Sequence, residues 1–230
     1  MMAVAGGKGG SGKTTTTLGL ARALSRRGAS VVAADADWDL PNLARLAVET
    51  DSDPVESGSP ADVRGARSVA DAVREAEPIR PDRSEPTVLA APDSARSVDA
   101  RATFDALDGV TPEGAPVLLD CPAGASPDVA APLRAADRAL IATPLRRAAL
   151  RDAAKTAAIA RRLDCPPVGA VVIGETSVPD RVAALLDCPV LGRIPDGGGA
   201  PLSEREVRDA YDGLARRLTE TAAATGWQIA

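Results

Sequence analysis

Residues 2–17 read "MAVAGGKGGSGKTTTT". Four small apolar residues run into a glycine-rich stretch. That stretch ends on Gly12-Lys13-Thr14 and opens into an amphipathic run, "TTTLGLARALSRR" (15–27). Gly7 through Thr14 satisfy the pattern GxxxxGK[ST], in the strand–loop–helix setting that gives the pattern its meaning. Glycines let backbone N–H groups converge on phosphate oxygens. The start of the helix adds positive potential there. The expected cradle is Gly7, Lys8, Gly9, Gly10, Ser11, Gly12 and Lys13. Lys13 is expected to reach the terminal phosphates, the Thr14 hydroxyl to ligate Mg²⁺, and Thr15 to contact the phosphate nearest the sugar.

Working outward, short apolar runs alternate with amphipathic ones. Strands are expected at 2–7, 30–35, 86–92, 116–122, 138–144, 169–174 and 188–195. Each run is bounded by Gly, Pro or Asp and is continuously apolar, as in strands buried on both faces. Helices are expected at 13–27 and at about 68–76, 95–107, 127–135, 146–162, 178–186 and 203–224. The fold class is therefore α/β: a doubly wound, mostly parallel sheet with helices on both faces. The whole chain, 1–230, reads as one domain. Residues 49–66, "ETDSDPVESGSPADVRGA", are acidic and rich in Gly, Ser and Pro, and are expected to be an exposed loop. In the last helix Val207, Tyr211, Leu214 and Leu218 share one face, and the Ala/Thr-rich tail favours packing on the domain over a membrane-binding role.

Composition narrows the function. Apolar residues make up 45% of the 230, enough for a core, but aromatics only 2%. Asp outnumbers Glu by 22 to 10 and Arg outnumbers Lys by 24 to 3, with a net charge of −5. This balance fits either a salt-adapted host, such as a halophilic archaeon, or coding bias toward Ala, Arg, Gly and Pro. It disfavours general DNA binding, which runs on excess positive charge. Two of the three lysines fall in the glycine loop, where a compact charge fits and a guanidinium fork does not substitute freely. Cys121, Cys165 and Cys188 form no CxxC pair and read as small buried hydrophobes. The sequence starts directly at the glycine loop, and no apolar run reaches membrane-spanning length. The expectation is a soluble, cytoplasmic protein.

Lys8 needs its own explanation. Without a highly charged ligand, two lysines in one cradle would repel each other, unless Lys8 is simply a solvated charge. The stretch KGGSGKT resembles the deviant Walker A motif of the MinD/ParA family of P-loop ATPases (the SIMIBI class). The resemblance implies ATP as ligand, and a homodimer in which Lys8 touches the nucleotide of the second subunit, acting as an arginine finger does. Asp35-Ala36-Asp37-Trp38-Asp39-Leu40-Pro41-Asn42-Leu43 is similar to that family's switch I. By this match Asp37 orients the attacking water, Asp35 helps hold the Mg²⁺ shell, and Asn42 lies near the dimer face. "PVLLDCPAG" (116–124) resembles its Walker B and switch II, with Asp120 accepting from a Mg²⁺-bound water and the Gly124 N–H approaching the γ-phosphate. Catalytic roles thus fall to Lys8, Lys13 and Asp37, and metal-binding roles to Thr14, Asp35 and Asp120. Two positions depart from the family pattern. Pro144-Leu145 stands where Pro-Glu is usual, and Ile173-Gly174 where an Asn usually reads adenine, leaving base recognition to backbone near 174–176 or to the loop 194–199.

The resemblance implies a slow, partner-stimulated ATP hydrolase that acts as a dimerising switch in spatial positioning, at a division site, in DNA partition or at polar structures. A protein activator or cargo is its expected partner. Three alternatives stay open on the residues alone: an iron–sulfur or metal carrier, a metabolic P-loop ligase, and a nucleotide-binding regulator with little turnover.

Overall fold

The apolar runs line up as the strands of one parallel sheet. The computed structural model describes residues 1–51, 66–81, 83–124, 127–175 and 177–227. Seven strands among them are β1 (Met2–Ala5), β2 (Val32–Asp35), β3 (Thr87–Leu89), β4 (Val117–Asp120), β5 (Arg138–Pro144), β6 (Pro167–Ile173) and β7 (Val190–Ile194). Their order is β3-β2-β4-β1-β5-β6-β7, and every pairing is parallel. The order reverses at β1, so the crevice beside its C-terminal end is where such a sheet accepts a ligand.

Parallel neighbours require crossover helices, and these cover both faces. On one face lie α1 (Lys13–Arg26), α2 (Leu43–Asp51) and the last helix. On the other lie α3 (Val69–Glu75), α4 (Ala100–Val110), α5 (Ala130–Ala135), α6 (Arg147–Arg162) and α7 (Arg181–Leu186). The last helix, α8 (Arg205–Thr225), packs against α1 and β7. Val207, Tyr211, Leu214 and Leu218 are all buried there, and the Tyr211 ring occupies the space a Cβ at Gly19 would need. The apolar stripe of α8 is thus spent on the core. No described helix is long and apolar enough to cross a membrane.

Most elements fall within a few residues of their expected bounds, with two informative differences. Helix α2 occupies 43–51, where no helix is expected and where the expected loop at 49–66 begins; residues 52–65 of that loop lie outside the described residues. The expected helix at 95–107 divides into a 3₁₀ turn, Ala95–Ser97, and α4. Asp99 separates them, because its side chain caps α4 by accepting from the Ala102 N–H.

Candidate functional site

Because all strands are parallel, the C-terminal ends of β1, β2, β4 and β5 open onto one rim, and every predicted site residue lies on it. Gly12 adopts a left-handed conformation (φ 82°) and admits the chain into α1 with no side-chain cap on the helix. The first-turn N–H groups of α1 are therefore left for an external acceptor. Gly10 is also left-handed (φ 72°), and no described residue beyond the chain neighbours lies within 4 Å of a Cβ placed there or at Gly9. Gly7 is different: a Cβ would collide with the Asp152 backbone of α6. One side of the loop is thus clamped to a helix and the other is open.

The two lysines have opposite settings. Lys13 is only 7% exposed. Lys8 is exposed and makes no ion pair with any described residue. Ser11 is buried, and its Oγ lacks a hydrogen-bond partner among the described residues. Thr14 and Thr15 are half-buried in the first turn of α1.

Two carboxylates stand opposite the loop. Asp35 and Asp120 end β2 and β4 and are register partners, each 1% exposed. The Thr17 hydroxyl lies 3.3 Å from Asp120 Oδ1, and the Thr14 hydroxyl also serves that carboxylate. Burial pushes the Asp120 carboxyl up to about 7, and the charge of Asp35 adds to the rise; the Thr14 and Thr17 hydroxyls and the Lys13 ammonium oppose it. Burial likewise pushes Asp35 up to about 6, against three backbone donors. Those donors are the N–H of Asp37 to Oδ1 and the N–H groups of Asn42 and Leu43 to Oδ2, each at 3.0 Å. Asp35 therefore ties down the loop 36–42 and caps α2 from eight residues away. Nothing in the sequence pattern announces this capping role, since cap signals lie next to the helix they serve.

Asp37 is half-buried on the same loop. Its Oδ1 accepts from the Leu40 N–H at 3.2 Å, and burial raises its pKa while Lys13 lowers it. Trp38 donates its indole N–H to the Asp35 carbonyl at 3.0 Å and sets its ring 5.3 Å from that of Phe104. Asn42 turns its amide N–H to the Leu40 carbonyl and accepts from Arg45, both at the surface. Gly124 (φ 86°) donates its N–H to the Gly6 carbonyl at 3.3 Å, joining the second carboxylate loop to the glycine loop.

The residues fit a polyphosphate with a divalent cation. An uncapped helix start, a buried lysine and a buried hydroxyl with no partner among the described residues follow one another along this loop. Two buried carboxylates whose charges repel lie beside Thr14. No three His, Cys, Asp or Glu side chains among the described residues form a metal cage. A hard cation held by one or two protein oxygens and by phosphate needs none.

A family model described as the CobQ/CobB/MinD/ParA nucleotide binding domain matches residues 2–224. The chain belongs to this family. It is 29% identical over 176 residues to an uncharacterized ATP-binding protein of Methanocaldococcus jannaschii, covering 74% of this chain and 62% of that protein. It is 28% identical over 176 residues to the septum site-determining protein MinD of Synechocystis sp., covering 75% of this chain and 63% of that one. The matched part thus spans a little under two thirds of these relatives. Among solved structures it resembles MinD of Pyrococcus horikoshii, complexed with Mg-ADP, with a TM-score of 0.73, 23% identity and 97% of each chain covered. That likeness is one of fold.

Two details particular to this MinD/ParA family chain concern the departures from the family pattern. Ile173, which with Gly174 stands where the family resemblance leads one to expect an Asn, lays its side chain against Gly12, 3.0 Å from the position of a Cβ there. Leu145 packs into the core on the α6 side of the sheet. The three cysteines are buried, and burial pushes their thiols up: Cys165 to about 12, Cys188 to about 11, and Cys121 well above its ordinary value. Such thiols pack as small hydrophobes and present no thiolate.

Proposed function

We propose that this chain is a nucleotide-dependent switch of the MinD/ParA kind. It binds ATP with Mg²⁺ and closes into a homodimer through Lys8. It then hydrolyses ATP slowly and acts, with a protein partner or cargo, in positioning a cellular structure. The contrast within one loop carries this reading: Lys13 is buried near the carboxylates, and Lys8 is exposed with no ion-pair partner among the described residues. A lysine serving its own site would be held there by burial, as Lys13 is.

In this reading the N–H groups of the glycine loop and of the α1 first turn bind the phosphates, and Lys13 supplies the positive charge at their end. Thr14 and Asp120 would hold the Mg²⁺, with Asp35 beside them, and the bound ion would supply neutralisation of charge on the phosphate oxygens. Asp35 acts mainly through backbone, fixing the loop that carries Asp37. Asp37, with one oxygen held by the Leu40 N–H, keeps the other free to accept a proton from a water and aim it in line. Lys8 of the second copy completes the charge around the terminal phosphate. The buried thiols give no support to a metal-carrier role.

The test is light scattering in Mg²⁺ with a non-hydrolysable ATP analogue. Wild type is expected to dimerise, and Lys8→Ala to bind the analogue yet stay monomeric. A wild-type chain that remains single, or a variant that still pairs, would sink the reading. Steady-state hydrolysis should then be lost in Asp37→Ala while its dimer persists.

A further inference from the structure

The rim is electrically polarised across the glycine loop. On the β2/β4 flank three carboxylates, Asp37, Asp39 and Asp128, outnumber the one cation, exposed Arg96, in the lining of a cavity of about 370 Å³, with Trp38 and Phe104 in its wall. Asp39 and Asp128 are exposed, and Leu40 beside them is 71% exposed. On the β5 flank Arg146 and Arg147 begin α6 directly after β5, and Arg151 follows one turn on; all three are exposed. None of these five charged residues, the three arginines with Asp39 and Asp128, has an ion-pair partner among the described residues.

The arginines are poorly placed for their own helix. Cations at a helix N-terminus oppose its dipole, and like charges at i, i+4 repel. Arg146, as the N-cap residue, offers no side-chain cap. Their placement makes sense if the compensating charge comes from outside the chain. The overall −5 argues against a broad polyanion as that source, since its field would meet the acidic remainder of the surface.

The strand order puts β1 between the two flanks, so exposed Lys8 lies between acid on one side and base on the other. When two copies meet rim to rim, a two-fold axis lying in the rim plane across the line of strand order sets each flank of one copy against the opposite flank of the other, whereas an axis along that line would oppose like charges. We propose that the Arg146/Arg147/Arg151 cluster docks on Asp39 and Asp128 of a second copy of this chain. The two symmetric contacts hold the copies in the register that lets Lys8 cross. This rests on the dimer reading above and adds what selects a self partner: a surface complementary to its own rotated image and mismatched to neutral or uniformly charged ones.

A charge-swap complementation tests it. Arg147→Asp/Arg151→Asp and Asp39→Arg/Asp128→Arg are purified separately and measured by light scattering with the Mg²⁺-bound non-hydrolysable ATP analogue. Each alone is expected to show a dimer dissociation constant raised about tenfold or more. An equimolar mixture is expected to recover the wild-type value, because both flank pairs then match. Analogue binding by each monomer verifies that it is folded. As a check that needs no variant, the wild-type dimer should weaken between about 50 mM and about 500 mM salt. Single variants that dimerise like wild type, a mixture that fails to recover, or a salt-insensitive dimer would each overturn the proposal. If wild type dimerises and Lys8→Ala does not, while the swaps change nothing, the switch reading stands and this surface alone is wrong.

Discussion

Asp35 and Asp120 are register partners on adjacent parallel strands, so two buried carboxylates end side by side on the rim. Their surroundings differ. Asp35 is saturated with backbone N–H donors, whereas Asp120 has the hydroxyls of Thr14 and Thr17 and the field of Lys13. The first builds a loop, and the second faces the first turns of α1.

This pairing sets a pH dependence. Both groups titrate above their ordinary value of 3.8, at about 6 for Asp35 and about 7 for Asp120. The folded chain therefore holds protons that the unfolded chain releases. Their contribution to stability is complete below about pH 4 and is lost as pH rises through about 6 to 7. The nucleotide-free protein should show a urea midpoint that falls over this window more steeply than that of Asp120→Asn. Saturating Mg²⁺ and nucleotide should remove the difference, since a ligand of the folded state stabilises it. Parallel profiles for the two proteins would contradict the assignment.

Asp35→Ala removes the acceptor of three backbone N–H groups and the cap of α2. The expected loss is about 2–4 kcal/mol in urea denaturation. Asp35→Asn, which keeps one carbonyl oxygen, should fall between the alanine variant and wild type.

The glycine loop should respond unequally along its length. Gly7→Ala forces a Cβ into the Asp152 backbone and should cost about 1–3 kcal/mol. Gly9→Ala meets open space and should change stability by less than about 1 kcal/mol. Chemical denaturation of both without nucleotide separates packing from ligand effects.

Lys13→Ala should weaken binding of a fluorescent ATP analogue by about a hundredfold or more, because a buried charge partner of the phosphates is lost. Lys8→Ala should leave binding to the monomer within about threefold, since an exposed side chain contributes little to its own site. Equal losses in the two titrations would show that both lysines serve one pocket.

Much of this architecture is legible in the order of residues along the chain. Strands buried on both faces declare themselves as apolar runs, and β5 coincides with its expected 138–144. The glycine loop, the two acidic strand ends and α8 follow from local pattern. The features that local pattern hides are non-local ones. Helix α2 has an apolar face in Leu43, Leu46 and Ala47, but its cap is Asp35, so no neighbouring residue announces its start. The Asp99 cap shortens α4 for a related reason: inside a long helical run, the residue that starts the helix is not set apart by its neighbours. The clamp of Gly7 on Asp152 and the opposed flanks of the rim arise only once β1 is set between β4 and β5.

The bond between Gly124 and the Gly6 carbonyl has one more consequence. A donor can satisfy only one strong acceptor at a time, and this one, at 3.3 Å, is loosely engaged. If the Gly124 N–H approaches the terminal phosphate as the family resemblance implies, an incoming phosphoryl oxygen would compete with Gly6 for the same hydrogen, and departure of that group would return it. Discrimination between tri- and diphosphate would then reside in an exchange of rivals for a single hydrogen inside the chain.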